Sequence, residues 1–214
     1  IKRSNWGCDM VIATGDLTQD NTKESYIHYI KLLESLNTPI YSIPGNHDNK
    51  TIMRSVLKKP LFHYCDELVI HNWLIIGIDS SKEHSPSGNI SQRELQRLKS
   101  SIKSTNAEYI MIYLHHQPIN INSRWIDVIG LENKNELYEI LNNNKKIRAL
   151  FFGHIHQSVE MHYGDIQVIG TPSTCRQFKP NSNSFAMDNS PPGYREIQLN
   201  QNGSIDTNVV WLNQ

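Results

Sequence analysis

The sequence predicts an α/β fold, or α+β in some schemes, and three observations predict it. Short runs rich in aliphatic and β-branched residues recur at 8–14, 40–43, 74–79, 109–114 and 147–152. They are too short for helices and too uniformly apolar for strands with one wet face, so they read as buried strands. Between them lie stretches with helical spacing of apolar residues: Tyr26, Ile27, Ile30, Leu33 and Leu36, then Leu95, Leu98 and Ile102, then Leu137, Ile140 and Leu141. Finally, polar residues gather just past the ends of the apolar runs, where open α/β sheets place their ligands.

Each element has local support. The strand at 8–14 runs into Gly15-Asp16-Leu17. Asn21 with Glu24 has capping-box spacing for the first helix, which ends before Asn37-Thr38-Pro39. The strand at 40–43 delivers Pro44 and then Gly45-Asn46-His47-Asp48, which completes a βαβ unit with polar groups at one edge. A short helix is expected near 51–57. Two β segments, 61–72 and 73–79, flank a turn at His71-Asn72. A loop covers 83–88, and Ser91 with Glu94 caps the next helix. The strand at 109–114 ends in His115-His116-Gln117-Pro118. A loop follows at 123–131, then a helix capped by Asn133 with Glu136, then a solvated end at 142–146. The strand at 147–152 runs into Gly153-His154-Ile155-His156. Segments 158–163, 166–171, 194–199 and 205–212 read as meander strands, with hairpin turns at Gly164-Asp165 and Asn202-Gly203. No repeat and no long linker divides the chain, so residues 1–214 are expected to form a single domain.

The totals exclude several function classes. The chain carries 21 basic and 21 acidic residues, which argues against nucleic acid or an anionic membrane as a partner recognised by bulk charge. Mean hydropathy is −0.50. No run reaches the roughly 20 apolar residues of a membrane helix. Cys8, Cys65 and Cys175 are few and scattered, which argues against a disulfide framework and for a reducing, cytoplasmic compartment.

The post-strand residues carry the chemistry. Asp16, Asn46, one of His115 and His116, His154 and His156 each follow a predicted strand, so four strands bring them to one edge of one sheet. Adjacent histidines on a strand point opposite ways, so one of His115 and His116 is expected to face the site; the strand-end position favours His115. Carboxylate, amide oxygen and imidazole together suit a borderline divalent ion such as Mn, Fe or Zn. Five candidates exceed one tetrahedral site, and a carboxylate can bridge two ions about 3.5–4 Å apart. Such a pair clamps a phosphoryl group. Asp48 is expected to hold one nitrogen of His47 and fix its tautomer.

In this order, Gly15-Asp16, Gly45-Asn46-His47-Asp48, His115-His116 and Gly153-His154-Ile155-His156 resemble the motifs of the calcineurin-like metallophosphoesterases. The segments 13–20, 43–48 and 171–180, with Asp188 and Pro192-Gly193-Tyr194-Arg195, resemble the bacterial class III 3',5'-cyclic AMP phosphodiesterases. The resemblance spans almost the whole chain. It implies a two-sheet βαβ sandwich flanked by helices, and hydrolysis of cyclic AMP to 5'-AMP by metal-bound hydroxide. It further implies that Asp16 bridges both metals, that Asn46, His115 and His154 complete the second site, and that His156 belongs to the first. His47, with Asp48 behind it, would contact the phosphate or assist the leaving oxygen, and Asn46 and His116 would also touch the substrate, a small cyclic nucleotide. One departure stands out. The family opens on a strand bearing Asp-x-His, and nothing before Cys8 matches it, since Asp9 is followed by Met10 and Val11. The first metal site is therefore expected to be incomplete here, and the 214 residues to be part of a longer chain. The competing readings are another phosphoesterase of the superfamily, acting on a monoester, a lipid diester or a pyrophosphate, and a catalytically dead module. Arg176, Gln177 and Lys179 are candidates for the cleft or for the interface of a homodimer.

Overall fold

The computed structural model describes residues 7–212. Its strands form two packed sheets and a hairpin. In chain order the first part comprises β1 (Val11–Ala13), α1 (Lys23–Leu33), β2 (Ile40–Ser42), α2 (Lys50–Val56) and β3 (Phe62–Tyr64). The second comprises β4 (Glu67–Ile70), β5 (Trp73–Gly77), α3 (Gln92–Ser104), β6 (Tyr109–Leu114), α4 (Arg124–Asp127), α5 (Lys134–Asn142), β7 (Ile147–Phe152), β8 (Val159–Tyr163) and β9 (Ile166–Gly170). The hairpin is β10 (Gly193–Leu199) with β11 (Ile205–Trp211).

The first sheet is parallel, in the order β1-β2-β3. The second has the order β4-β5-β6-β7-β9-β8, with parallel pairing through β5, β6, β7 and β9 and antiparallel strands at both edges. Strand periodicity sorts the core into layers. Trp73, Ile75, Met111, Tyr113, Ala149 and Phe151 pack with Tyr41 and Ile43 between the sheets. Leu74, Ile76, Ile110, Ile112, Leu150 and Phe152 point the other way, onto Leu95, Leu98, Leu137 and Ile140 of α3 and α5. Ile40 and Phe62 turn outward from the first sheet onto Tyr26, Ile30 and Met53 of α1 and α2. The outcome is a helix–sheet–sheet–helix sandwich. In β7 both Ile147 and Leu150 face the helices, because the register with β6 shifts at Ile110/Met111 and leaves Arg148 without a partner across the ladder.

Several local expectations change. The first helix is capped by Thr22, whose side chain accepts from the Ser25 amide, while Asn21 takes a left-handed φ of 59°. Asp20 accepts the Thr22 amide in turn, so the cap begins one residue later than the spacing suggested. Ser91 caps α3 as expected, but Glu94 reaches the Asp79 amide and Arg97 rather than closing the box. Asn133 begins α5 yet spends its amide on Ile90 and Glu136. The segment 61–72 is two strands, not one. Cys65, at φ 47°, turns the chain out of the first sheet, and β4 enters the second. The stretch 123–131 contains the short helix α4 rather than loop alone.

Candidate metal centre

Each site residue leaves the end of a parallel strand. Asp16 follows β1 and Asn46 follows β2, in the first sheet; His115 follows β6, and His154 and His156 follow β7, in the second. The strands thus lie in two sheets, which corrects the expectation of one. The ends of the inner strands meet where the sandwich opens, and there the backbone is held under strain. Asp16 has φ 54°, His154 φ 20° and His156 φ 48°, left-handed values uncommon for non-glycine residues and typical of functional sites. Gly15, at φ 94°, has no room for a Cβ, which would lie 2.5 Å from His115 Nδ1.

Four ligand atoms converge. His115 Nε2 lies 3.3 Å from Asp16 Oδ2, 3.2 Å from Asn46 Oδ1 and 3.1 Å from His154 Nδ1. The other nitrogen, His115 Nδ1, donates to the Thr14 carbonyl at 2.7 Å, which leaves Nε2 as the lone-pair side. Lone pairs aimed at one another are repulsive unless a proton or a cation lies among them. His115 and His154 are almost fully buried, and His154 Nε2 has no partner. Such a donor set fits a borderline divalent ion.

The ionisable groups here act strongly on one another. Burial opposes ionisation of Asp16, but the His115 imidazole beside it and the His47 amide outweigh burial and hold its carboxyl far below the usual carboxylate range. Burial works against a charged His115, yet Asp16 overcomes it and raises the imidazole. Burial and then His115 push His154 down to about 3, so its imidazole is neutral at physiological pH.

His116 is not turned away from the site, as strand alternation would have required. The strand ends at Leu114, so alternation no longer applies. Its ring lies 4.8 Å from those of both His115 and His154, and the three histidines form a tight buried cluster. Its Nδ1 is 2.9 Å from Ser80 Oγ, and Nε2 is buried without a partner. Ser80 Oγ also accepts the amides of His115 and His116, so this buried hydroxyl fixes the turn that presents both rings. Sequence reasoning missed it; no local signal marks it.

His156 stands to one side of that cluster. Its Nδ1 donates to the Arg176 carbonyl at 2.9 Å, and its ring stacks on Phe178 at 4.2 Å between centroids. Burial lowers its basicity, and the hydrogen bond to the Arg176 carbonyl works against that. Gln177 is buried; it accepts the Ser173 amide and donates to the Ser173 and Pro191 carbonyls. It therefore braces the loop instead of lining the cleft, while Arg176 and Lys179 are exposed.

His47 is half-buried beside Asp16, whose Oδ1 accepts its amide at 2.9 Å. The expected support from Asp48 does not occur. Asp48 Oδ2 accepts the amides of Leu17 and Gly45, and Oδ1 accepts the Tyr26 hydroxyl. Both oxygens are thereby committed to tying together the loops that carry Asp16 and Asn46. Burial raises the Asp48 carboxyl. The side chain within reach of His47 Nδ1 is Gln19 Nε2, at 3.1 Å, a residue of the Gly15-Asp16 loop that sequence reasoning left out.

A two-sheet sandwich with a carboxylate, an amide and imidazoles gathered at its strand ends is a metal-dependent phosphoesterase scaffold. The chain belongs to the calcineurin-like phosphoesterase family, whose description matches residues 1–158. It is 37% identical over 215 aligned positions to a protein of Haemophilus influenzae named 3',5'-cyclic adenosine monophosphate phosphodiesterase CpdA, covering 100% of this chain and 78% of that one. It is 32% identical to the Escherichia coli K12 protein of the same name, covering 94% of this chain and 74% of the relative. Among solved structures, a dimetal phosphatase from Danio rerio superposes with a TM-score of 0.63 at 14% identity, over 88% of this chain and 79% of that one, a likeness of fold.

Proposed function

We propose that this chain is a metal-dependent phosphodiesterase that hydrolyses 3',5'-cyclic AMP to 5'-AMP. The observation that carries the reading is the convergence of Asp16, Asn46 and His154 on His115 Nε2, in a chain whose relatives are named for that reaction. Asp16, Asn46, His115 and His154 would hold one divalent ion, Mn, Fe or Zn. Asp16 would be shared with a second ion on the side of His156. Among the described residues only Asp16 and His156 serve that other ion, so we propose that its site is incomplete in this chain. When bound, the ions supply positive charge against the phosphate and lower the pKa of a coordinated water.

The protein's own residues do the positioning. The hydrogen bond from His115 Nδ1–H to Thr14 keeps Nε2 free for the metal, and the one from His156 to Arg176 does the same there. His47, half-buried beside Asp16, would meet a phosphoryl oxygen or hand a proton to the departing 3'-oxygen. Gln19 limits its swing. His116, with an unpartnered Nε2, is a second contact for the phosphate. Residues 1–214 would act as one domain, possession of a partner copy being a separate question of assembly. Three free cysteines support work in a reducing compartment such as the cytoplasm.

The test is hydrolysis of cyclic AMP, bis-p-nitrophenyl phosphate and p-nitrophenyl phosphate by the full-length protein with Mn²⁺, with and without chelator. Both diesters should turn over and chelator should stop them. Preference for the monoester would overturn the substrate assignment, and chelator-insensitive turnover would overturn the metal.

A further inference from the structure

The ring that stacks on His156 belongs to a larger aromatic group that the hydrolysis itself does not use. Phe178 meets Trp125 edge-on at 5.1 Å, and Phe185 closes the triangle at 5.2 Å from Trp125 and 5.5 Å from Phe178. This cluster is only partly covered. Among the described large hydrophobic residues the two most exposed are Val128, at 71%, and Phe185, at 61%. A cavity of about 430 Å³ is lined by Val128 together with Asn122, Arg124 and Asn183, which flank Trp125 and Phe185 in the chain. A hydrogen bond joins this region to the metal centre. Ser123 Oγ accepts from the Ser182 amide and from Gln157 Nε2, and Gln157 follows His156 directly.

Part of the lining is chemically uncommitted. Asp127 is used up by the amides of Ile121 and Ser123, and Asn120 by Lys134. The side chains of Asn122, Arg124 and Asn183 make no hydrogen bond among the described residues, and Trp125 Nε1 is shielded from solvent without an acceptor. An exposed aromatic ring, free amides and an unpaired N–H near the candidate metal centre match the needs of a purine. Its π-face stacks on an aromatic ring, and its edge pairs with side-chain amides.

We propose that Phe185, backed by Trp125 and Phe178, is the stacking shelf for the base of the nucleotide, and that Asn183 and Asn122 read its edge. The proposal rests on the phosphodiesterase reading of the metal centre. One ring spans the distance, since Phe178 touches both His156 and the shelf. A nucleotide held at the metals by its phosphate thus extends its base past Phe178 onto Phe185.

The experiment is titration calorimetry of the full-length, Mn²⁺-loaded protein with 5'-AMP and with ribose 5-phosphate, which lacks the base, alongside cyclic AMP turnover. The wild type should bind AMP roughly tenfold or more tighter than ribose 5-phosphate, as stacking of one base implies. Phe185→Ala should erase that preference while leaving ribose 5-phosphate affinity unchanged, Phe185→Trp should keep it, and Asn183→Ala should reduce it. Phe185 is exposed, so the substitution leaves the core intact. An unchanged AMP preference in Phe185→Ala, or equal binding of the two ligands by the wild type, would overturn the shelf. Absence of cyclic AMP turnover in a wild type whose AMP preference depends on Phe185 would instead overturn the substrate assignment and uphold the shelf.

Discussion

A carboxylate that is buried must find donors for both oxygens, and Asp48 finds three: the Leu17 and Gly45 amides and the Tyr26 hydroxyl. Asp48→Asn puts an NH₂ group where an acceptor is required, so two N–H groups or a hydroxyl lose their partner. The expected cost is about 1–3 kcal/mol of folding stability, read by urea denaturation. Activity should fall as well, because the loops carrying Asp16 and Asn46 are no longer tied. Were Asp48 instead a partner of the His47 ring, the substitution would change the pH profile and leave stability alone. Gly45 makes a second point at this scale. A Cβ there would overlap the Asp16 carboxylate, so Gly45→Ala should abolish metal binding even though alanine is the mildest change available. Asp16, Asn46, His115 and His154 were legible in the sequence because each sits immediately past an apolar run. The work of Asp48 was not, since two of its three donors, Leu17 and Tyr26, lie 31 and 22 residues away and only the folded chain brings them near. Nor was the inward turn of both His115 and His116, which depends on Ser80.

Strands and helices were easier to find than to assign. The run at 61–72 has strand composition throughout, and nothing in it announces that Cys65 leaves one sheet for another. The first cap slipped by one residue because Asn21 and Thr22 are both competent caps and Asp20 decides between them. The junction of β3 and β4 has a consequence for pH. Burial raises the Cys65 thiol, with Asp79 and Glu94 adding to it, and burial likewise raises the neighbouring Tyr64 hydroxyl. A folded pKa above the unfolded one means that the folded chain keeps its proton longer. Stability from these groups is therefore fully present below the unfolded thiol's value of 9.0 and is lost as the pH climbs past it. Denaturation midpoints at pH 8 and pH 10 should differ, with the lower stability at pH 10, and Cys65→Ala should narrow the difference. The same burial should leave Cys65 slow toward thiol reagents at pH 8, while Cys175, which is exposed, reacts first.

Neither sheet holds the site alone. The first supplies Asp16 and Asn46, the second His115, His154 and His156, and the core between them, from Ile43 to Phe151, sets the distance across the gap. The sequence marked those strands as buried but not as partitioned, because a run apolar on both faces reads the same in one sheet or in two. A metal held by these side chains would be a structural link between sheets as well as a reagent. Without it, His115 Nε2, His154 Nδ1, Asn46 Oδ1 and Asp16 Oδ2 face one another across buried space, relieved only by whatever proton Asp16 retains on His115. An ion bound to the folded chain alone adds RT ln(1 + [L]/Kd), about 2.7 kcal/mol at a hundredfold excess over Kd. For a chain of this size that corresponds to a rise of roughly 5–10 °C in melting temperature. Mn²⁺ should therefore raise the melting temperature of chelator-stripped protein, and Asn46→Ala should cut the rise by removing one ligand. Phe185→Ala should leave it untouched, since that ring lies beyond Phe178 from His156. Calorimetry with and without chelator decides the matter without any turnover. If the stripped and loaded proteins melt together, the converging side chains do not hold an ion, and the two sheets are joined by their apolar core alone.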